Sequence, residues 1–199
     1  MTKDRSGRNN YLLIISLIAN VFFLSGCKQE YPKVIIQTSL GNITAELYTE
    51  QAPVTAGNFL SLVEAGIFDS GASFYRVVRE DNQPNNAVKI EVIQGGLRDS
   101  RESLTPIRHE TTQETGLKHL DGSLSMARSA PGTADAEFFI CIGDQPELDF
   151  EGKRNPDGMG FAVFGRIITG MDLVRKIQQQ EDTNQYLVNP IQILSIRQQ

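Results

Sequence analysis

Two short apolar segments joined by a loop of small residues constrain the fold more than any other part of this chain. In the first, residues 122–128, Leu124 and Met126 alternate with serines, which is typical of a strand with one buried face. In the second, residues 137–141, three apolar side chains follow one another, which predicts a strand covered on both faces. The loop between them is rich in Pro, Gly and Ala. We therefore expect a strand, a loop and a second strand.

The rest of the chain also favours short strands. Segments 34–38 and 43–47 predict a hairpin, and 191–196 predicts a last strand. One helix is predicted from Pro53, where the missing N–H costs nothing, to Gly66, and a second over 171–179. Short strands with two helices predict a mainly β domain, a closed antiparallel barrel capped at its ends.

A polar residue stands in each of two other apolar segments. Arg76 lies within 74–78, and Gln94 lies within 92–96. A buried polar group without a partner is costly, so these residues indicate a site. Arg76 alone has a second interpretation, a structural cation paired with an acid.

The N-terminus has the features of a targeting signal. Three basic side chains precede a mostly apolar run at 11–24, which is short for a membrane span and typical of a signal peptide. The run ends at Leu24-Ser25-Gly26-Cys27, which resembles a bacterial lipobox. An uncleaved membrane anchor is the alternative.

This pattern predicts three parts of the chain: a lipoprotein signal peptide at 1–26, a lipidated tether at 27–33 and a folded domain at 34–199. Lipid on Cys27 is expected to hold the domain at a membrane surface. Lys28 follows that cysteine. In Gram-negative lipoproteins an Asp at this position resembles an inner-membrane retention signal, so Lys28 indicates the outer membrane, facing the periplasm.

Charge and cysteine content exclude several functions. The chain carries a net charge of -5. Residues 1–26 contribute three basic and one acidic side chain, or +2, so the remainder carries -7. An acidic domain without a basic cluster argues against nucleic acid as a partner. If lipid occupies Cys27, Cys141 remains alone and is predicted to be a core residue. No spacing predicts a metal site, and His109 and His119 are interpreted as solvated or locally hydrogen-bonded.

Five segments together resemble the cyclophilin family of peptidyl-prolyl cis-trans isomerases. They are 74–78, 94–96, 122–128, 137–141 and 161–165, and they occur in the family's order. The resemblance runs from about residue 34 to 196. It implies an eight-stranded antiparallel barrel capped by two helices, isomerisation of X-Pro peptide bonds, and no cofactor.

The resemblance also assigns site residues. It implies Arg76 as the catalytic hydrogen-bond donor, and Gln94 with the backbone near Ala127 as holding the substrate's peptide groups. The apolar pocket by match is Phe74, Val92, Phe139, Leu148 and Phe161. Arg128 and Glu137 complete the substrate-binding set, although Glu137 stands where the family often has Gln, and Glu147 where it often has an aromatic residue.

The expected chemistry follows from the amide bond. Its partial double-bond character gives a rotation barrier of about 18–20 kcal/mol, and X-Pro bonds populate both isomers. As the bond twists, the prolyl nitrogen gains a lone pair, so a donor aimed at it binds the twisted state better than the planar one. No nucleophile, metal or cofactor is needed.

The sequence therefore predicts a monomeric isomerase of Pro-containing segments in envelope proteins. Two alternatives belong to other classes. One is a chaperone-like module that binds such segments without turnover. The other is a small β-barrel carrier, which needs an open apolar interior, whereas an isomerase needs a packed interior and an outer groove.

Overall fold

The computed structural model describes residues 30–98 and 104–199. The predicted signal peptide and Cys27 lie outside the described residues. Within them, no helix is long and apolar enough to cross a membrane.

The described residues form a closed antiparallel barrel of eight strands, with a ninth, two-residue strand at its edge. The strands are β1 (Lys33–Thr38), β2 (Gly41–Leu47), β3 (Ser73–Val78), β4 (Val92–Gly96), β5 (Ser123–Met126), β6 (Phe138–Cys141), β7 (Ala162–Thr169), β8 (Asp182–Thr183) and β9 (Tyr186–Gln198). The order around the barrel is β1-β2-β7-β5-β6-β4-β3-β9, and pairing of β1 with β9 closes it. The predicted fold class is therefore confirmed.

Three α-helices lie among the described residues, one more than predicted. The two predicted helices are α1 (Pro53–Glu64) and α3 (Met171–Gln178), and the third is the four-residue α2 (Thr112–Thr115). So short a helix has no apolar period to detect. Its signal is local: the Thr111 hydroxyl accepts the Glu114 N–H at 3.2 Å, as an N-cap does.

The carboxylate of Glu110, which is distant in the sequence, caps the N-terminus of α1. The residue before Pro53 offers no side-chain cap, and Glu110 instead accepts the backbone N–H groups of Val54 at 3.1 Å and Thr55 at 2.8 Å. An anion at this end of a helix is favourable because the unpaired N–H groups and the helix dipole point towards it. Glu110 therefore fixes the segment before β5 against the helix.

The barrel interior is filled with side chains. Phe138 makes edge-to-face contacts with Phe59, Phe68 and Phe74, with ring centroids 5.5–6.1 Å apart. These four side chains and Phe164 are at most 1% exposed. A small barrel of this kind has just enough room for its own side chains, so the open interior that a carrier needs is absent from the described barrel.

A bulge in β3 separates Phe74 from Arg76. Phe74 pairs with Gly95 and Arg76 with Gln94, so two residues of β3 advance where β4 advances by one. In a regular strand, residues two apart share a face, whereas here Phe74 is fully buried in the interior core and Arg76 lies on the outer side. The assignment of Phe74 to the substrate pocket is therefore wrong, because the bulge turns its side chain inward.

The folded domain begins slightly before residue 34. Lys33 is already paired with Glu46 in β1, and the Pro32 carbonyl accepts the Leu47 N–H at 2.8 Å. The Tyr31 ring packs edge-on against Tyr48 at 5.0 Å. The last residues of the predicted tether thus lie against the barrel.

Candidate functional site

A groove with an apolar floor and polar walls lies on the outer face of the barrel, across β5, β6, β4 and β3. Its walls enclose about 280 Å³. Its floor is a cluster separate from the interior core. The structure brings four of the five predicted pocket residues together there, with Ile90 in addition: Val92, Phe139, Leu148 and Phe161.

Phe139 is the centre of this floor. It follows Phe138 in β6, so one ring points outward and the other inward, as the apolar run predicted. Phe161 meets the Phe139 ring edge-to-face at 5.2 Å, and His119 stacks parallel to it at 5.9 Å. Because rigid rings pack against it on two sides, the Phe139 ring is held in one orientation.

Two glutamine oxygens hold the Arg76 guanidinium at the edge of the groove. Gln185 Oε1 accepts from Nε at 3.1 Å and from Nη2 at 2.6 Å, and Gln94 Oε1 accepts from Nη1 at 2.9 Å. A guanidinium has five N–H donors, so two remain beyond these three bonds. No ion pair between described residues includes Arg76, which differs from the structural alternative of a cation paired with an acid.

A carboxylate fixes the amide of Gln94. Gln94 Nε2 donates to Glu137 Oε2 at 2.9 Å and to the Tyr75 hydroxyl at 2.7 Å, and that hydroxyl donates to the same Glu137 oxygen. With its nitrogen held there, the amide presents its oxygen to Arg76. Gln94, which the resemblance assigned to substrate, therefore also positions Arg76, and Glu137 acts one step behind it.

Arg128 lies beside the groove but its guanidinium is engaged with protein. It makes a two-point ion pair with Asp157, at 2.8 and 3.0 Å, and Nε donates to the Gly160 carbonyl at 2.9 Å. These bonds lower the pKa of Asp157 to about 2. The side chain is only 1% exposed, so a contact with substrate through its guanidinium, as the resemblance implied, is not supported by this arrangement. Ala127 lines the groove as predicted, and its N–H donates to the Glu137 carbonyl.

Gln185, which bonds Arg76, and several residues that line the groove were not predicted from the sequence. Gln185 has a left-handed backbone, φ 75°, in the β8–β9 turn, and this conformation aims its side chain at Arg76. Its only signal was the polar turn sequence around it. The others lie in irregular segments without periodicity: Ile90, Ser129, Thr133, Asp135, Arg154 and Asn155.

A serine, a histidine and an aspartate lie in line beneath the floor. His119 Nδ1 is 2.8 Å from Asp149 Oδ1, and its Nε2 is 3.0 Å from Ser125 Oγ. This arrangement resembles a nucleophilic triad, but Ser125 is fully buried and His119 is 1% exposed. No substrate reaches them, so they support the floor from below. The interpretation of His119 as solvated is wrong, because the ring is buried. Its bond to Ser125, six residues away, is local, whereas its bond to Asp149 spans 30 residues.

The surroundings of His119 and Asp149 determine the direction in which the pKa of each is shifted. Burial lowers the pKa of His119, although the hydrogen bond to Asp149 acts in the opposite sense. Burial alone would raise the pKa of Asp149, but the bonds from the His119 ring and backbone N–H bring it below the usual value. The imidazole is therefore neutral at pH 7, with Nδ1–H donating to Asp149 and Nε2 accepting from Ser125.

The described residues contain neither an accessible reactive cysteine nor a metal site. Cys141 is fully buried in β6 as predicted, and burial raises the pKa of its thiol well above the usual value. No group of three or more His, Cys, Asp or Glu side chains in residues 30–98 and 104–199 is arranged to hold a metal ion.

The structure thus combines a packed barrel with an outer groove that has an apolar floor and a guanidinium at its edge. Comparison with known proteins identifies the family that shares this fold. A sequence model described as "Cyclophilin type peptidyl-prolyl cis-trans isomerase/CLD" matches residues 33–198.

Curated relatives and solved structures are similar over most of the chain. Peptidyl-prolyl cis-trans isomerase A of Dickeya dadantii is 35% identical, covering 76% of this chain and 73% of the relative. Peptidyl-prolyl cis-trans isomerase B of Escherichia coli is 33% identical, covering 73% and 83%. A cyclophilin-type isomerase of Cryptosporidium parvum has the same fold, with a TM-score of 0.67, 23% identity and coverage of 85% and 98%.

The chain belongs to the cyclophilin-type peptidyl-prolyl cis-trans isomerase family, and it is an enzyme of that class.

The buried histidine predicts acid sensitivity. The unfolded His119 side chain binds a proton near its ordinary pKa of 6.5, while the folded one does so only at lower pH. The unfolded state therefore binds more protons below about pH 6.5, and stability present above that pH is lost as the pH falls. Urea unfolding at several pH values from 7.5 to 5.0 should show a falling free energy, and His119→Gln should flatten this dependence.

His109 provides the matched control. Its pKa is also lowered, mainly by burial, but the ring is only half-buried and bonded to the Met159 carbonyl. His109→Gln should therefore remove a smaller part of the pH dependence. Since the chain has two histidines, the double variant should be nearly flat in this range. An unchanged slope in His119→Gln would contradict the neutral, buried imidazole.

Proposed function

We propose that this isomerase catalyses X-Pro rotation in proteins of the cell envelope and thereby assists their folding. The observation that carries the catalytic part is the position of Arg76, with its fork held by two neutral oxygens beside an apolar floor. The proline ring packs on Val92, Phe139, Leu148 and Phe161. Arg76 donates to the prolyl nitrogen as the amide twists.

The way Arg76 is held suits this role. Its acceptors in residues 30–98 and 104–199 are uncharged, so no carboxylate of these residues neutralises the guanidinium or competes for its remaining N–H groups. Donors fixed in advance stabilise a developing lone pair without reorganising during the reaction. A related protein from Cryptosporidium parvum has been solved in the presence of the dipeptide Ala-Pro, and an X-Pro segment is the ligand we propose for this groove.

The proposed location rests on the N-terminal sequence. A lipobox-like cysteine at position 27 lies four residues before Tyr31, which packs on the barrel. Four extended residues span about 14 Å, so lipid on Cys27 keeps the domain close to the membrane. We propose a monomer on the outer membrane that faces the periplasm and acts on Pro-containing segments there, without a nucleic-acid partner.

The Arg76→Ala variant tests the catalytic role. Removing one positioned donor typically costs about 3 kcal/mol of transition-state stabilisation, or two to three orders of magnitude in rate. We expect kcat/KM for a proline peptide to fall by that amount while peptide affinity and Tm change little, because the planar amide nitrogen is a poor acceptor. Arg76→Lys should also lose most activity, since a point charge lacks the planar fork.

The matched control is Arg166→Ala, an exposed arginine in β7 that pairs with Glu46 away from the groove. It should retain activity. Full activity in a folded Arg76→Ala protein would exclude the proposed mechanism. Peptide binding by the unmodified protein without any turnover would favour the chaperone-like alternative.

Gln185 provides a second test of how Arg76 is positioned. Gln185→Ala removes two of the three hydrogen bonds to the guanidinium, and we expect kcat/KM to fall about tenfold, as the loss of about 1.4 kcal/mol implies. Peptide affinity should change much less than kcat, because the apolar floor is intact. Gln192→Ala, in an exposed position of β9, is the control and should match the unmodified enzyme. Equal activities would show that Gln94 alone suffices to hold Arg76.

The Cys27→Ser variant tests the proposed anchor. Without the thiol no lipid is attached, so we expect the protein to leave the membrane fraction or to accumulate as an unprocessed precursor. Fractionation of envelopes, followed by mass measurement of the N-terminal peptide, distinguishes these forms. Unchanged processing and membrane retention in Cys27→Ser would contradict lipidation.

A further inference from the structure

Besides Arg76 and Arg128, a third arginine lines the groove, and the proposed catalysis does not use it. Arg154 lies in the irregular segment between Leu148 and Phe161 and is half-buried. Its Nη1 donates to Gln83 Oε1 at 2.9 Å and to the Val88 carbonyl at 2.6 Å. Both acceptors are neutral, so these bonds fix the guanidinium without neutralising it.

No carboxylate among the described residues forms an ion pair with Arg154. The carboxylate of nearby Glu147 accepts the Lys153 backbone N–H instead. Burial lowers the pKa of Arg154, and the positive charge of Arg76 lowers it further, so the two cations lie close enough to repel each other. A partly desolvated, uncompensated charge is unfavourable, and an anion entering the groove relieves that cost.

The sheet register gives the groove a direction. Along β4, Val92 pairs with Cys141 and Gly95 with Phe138. Arg154 is bonded to Val88, before the start of β4, whereas Asp135 precedes β6 at the opposite end. The positive end is thus beside Val92 and Leu148, where the proline ring packs, and Asp135 is at the other end.

We infer that the groove prefers Pro-containing segments with an acidic side chain next to the proline, and that Arg154 binds this carboxylate. The inference rests on the proposed function, because it assumes that the groove holds the proline. Arginine suits a carboxylate since its planar fork offers two parallel N–H donors. Arg154 is thus a specificity residue, distinct in role from Arg76.

Paired peptides test this preference in the full-length protein in mild detergent. Four peptides carry Glu or Gln either directly before or directly after one proline, and both kcat/KM and Kd are measured for each. We expect Glu to be favoured over Gln by about five- to tenfold at one of the two positions, as for a charge-assisted bond at a half-exposed site. Raising the salt concentration should reduce this ratio, because screening weakens the attraction.

Variants assign the preference to Arg154. Arg154→Gln should bring the Glu/Gln ratio close to one, and Arg154→Lys should keep part of it. The control Arg166→Gln makes the same change in net charge away from the groove and should keep the full ratio. Because each ratio is internal to one variant, a general loss of activity or of folded protein cancels.

Two results would overturn the inference. One is a ratio near one at both positions in the unmodified protein, and the other is an unchanged ratio in Arg154→Gln. The ratio of Kd values tests Arg154 even without turnover. Absence of turnover for all four peptides would instead refute the proposed catalysis, so the two failures are distinguishable.

Discussion

The bulge between Phe74 and Arg76 determines how one strand serves both the barrel and the groove. A regular β3 would place these two side chains on the same face, which would bury the guanidinium in the core or expose the phenyl ring. The extra residue lets Phe74 meet Phe138 inside the barrel while Arg76 reaches Gln94 outside. Gly95 makes the arrangement possible, since a Cβ there would lie 2.7 Å from the Phe74 ring. Core packing and site geometry are thus fixed by the same few residues.

Neutral acceptors hold the Arg76 guanidinium, and the Glu137 carboxylate acts on it only through Gln94. Glu137 fixes Gln94, and Gln94 in turn bonds to Arg76, so the carboxylate orients the network without touching the cation in the described contacts. A direct ion pair would hold Arg76 more strongly but would occupy the N–H groups that face the groove. The same principle applies to Arg154, which is bonded to an amide and a carbonyl oxygen. By contrast, Arg128 is fully paired with Asp157 and serves to hold the loop that carries Phe161.

The groove floor depends on a polar group beneath it. His119 stacks on Phe139 and is held by Asp149 and Ser125. A buried histidine with both ring nitrogens bonded has one orientation, and it transmits that rigidity to the floor. Its neutrality is part of this support, because a charged imidazole would meet a cost of burial that the hydrogen bond to Asp149 offsets only in part. The floor therefore combines apolar contact above with a satisfied hydrogen-bond network below.

The sequence by itself predicted most of the barrel strands and the two longer helices, and it singled out Arg76 and Gln94 as polar residues in apolar segments. These features are local, because alternation determines which side chains share a face. The pocket residues Val92, Phe139, Leu148 and Phe161 came from the resemblance to the cyclophilin family, whose motifs keep their spacing in the chain. The resemblance assigned Phe74 to the wrong side, since a bulge depends on pairing with a neighbouring strand. Gln185, His119 and Arg154 were missed for a related reason, because their partners lie 30 to 109 residues away or in loops without a period. Only the tertiary structure decides such contacts, since closing the barrel brings these distant residues together.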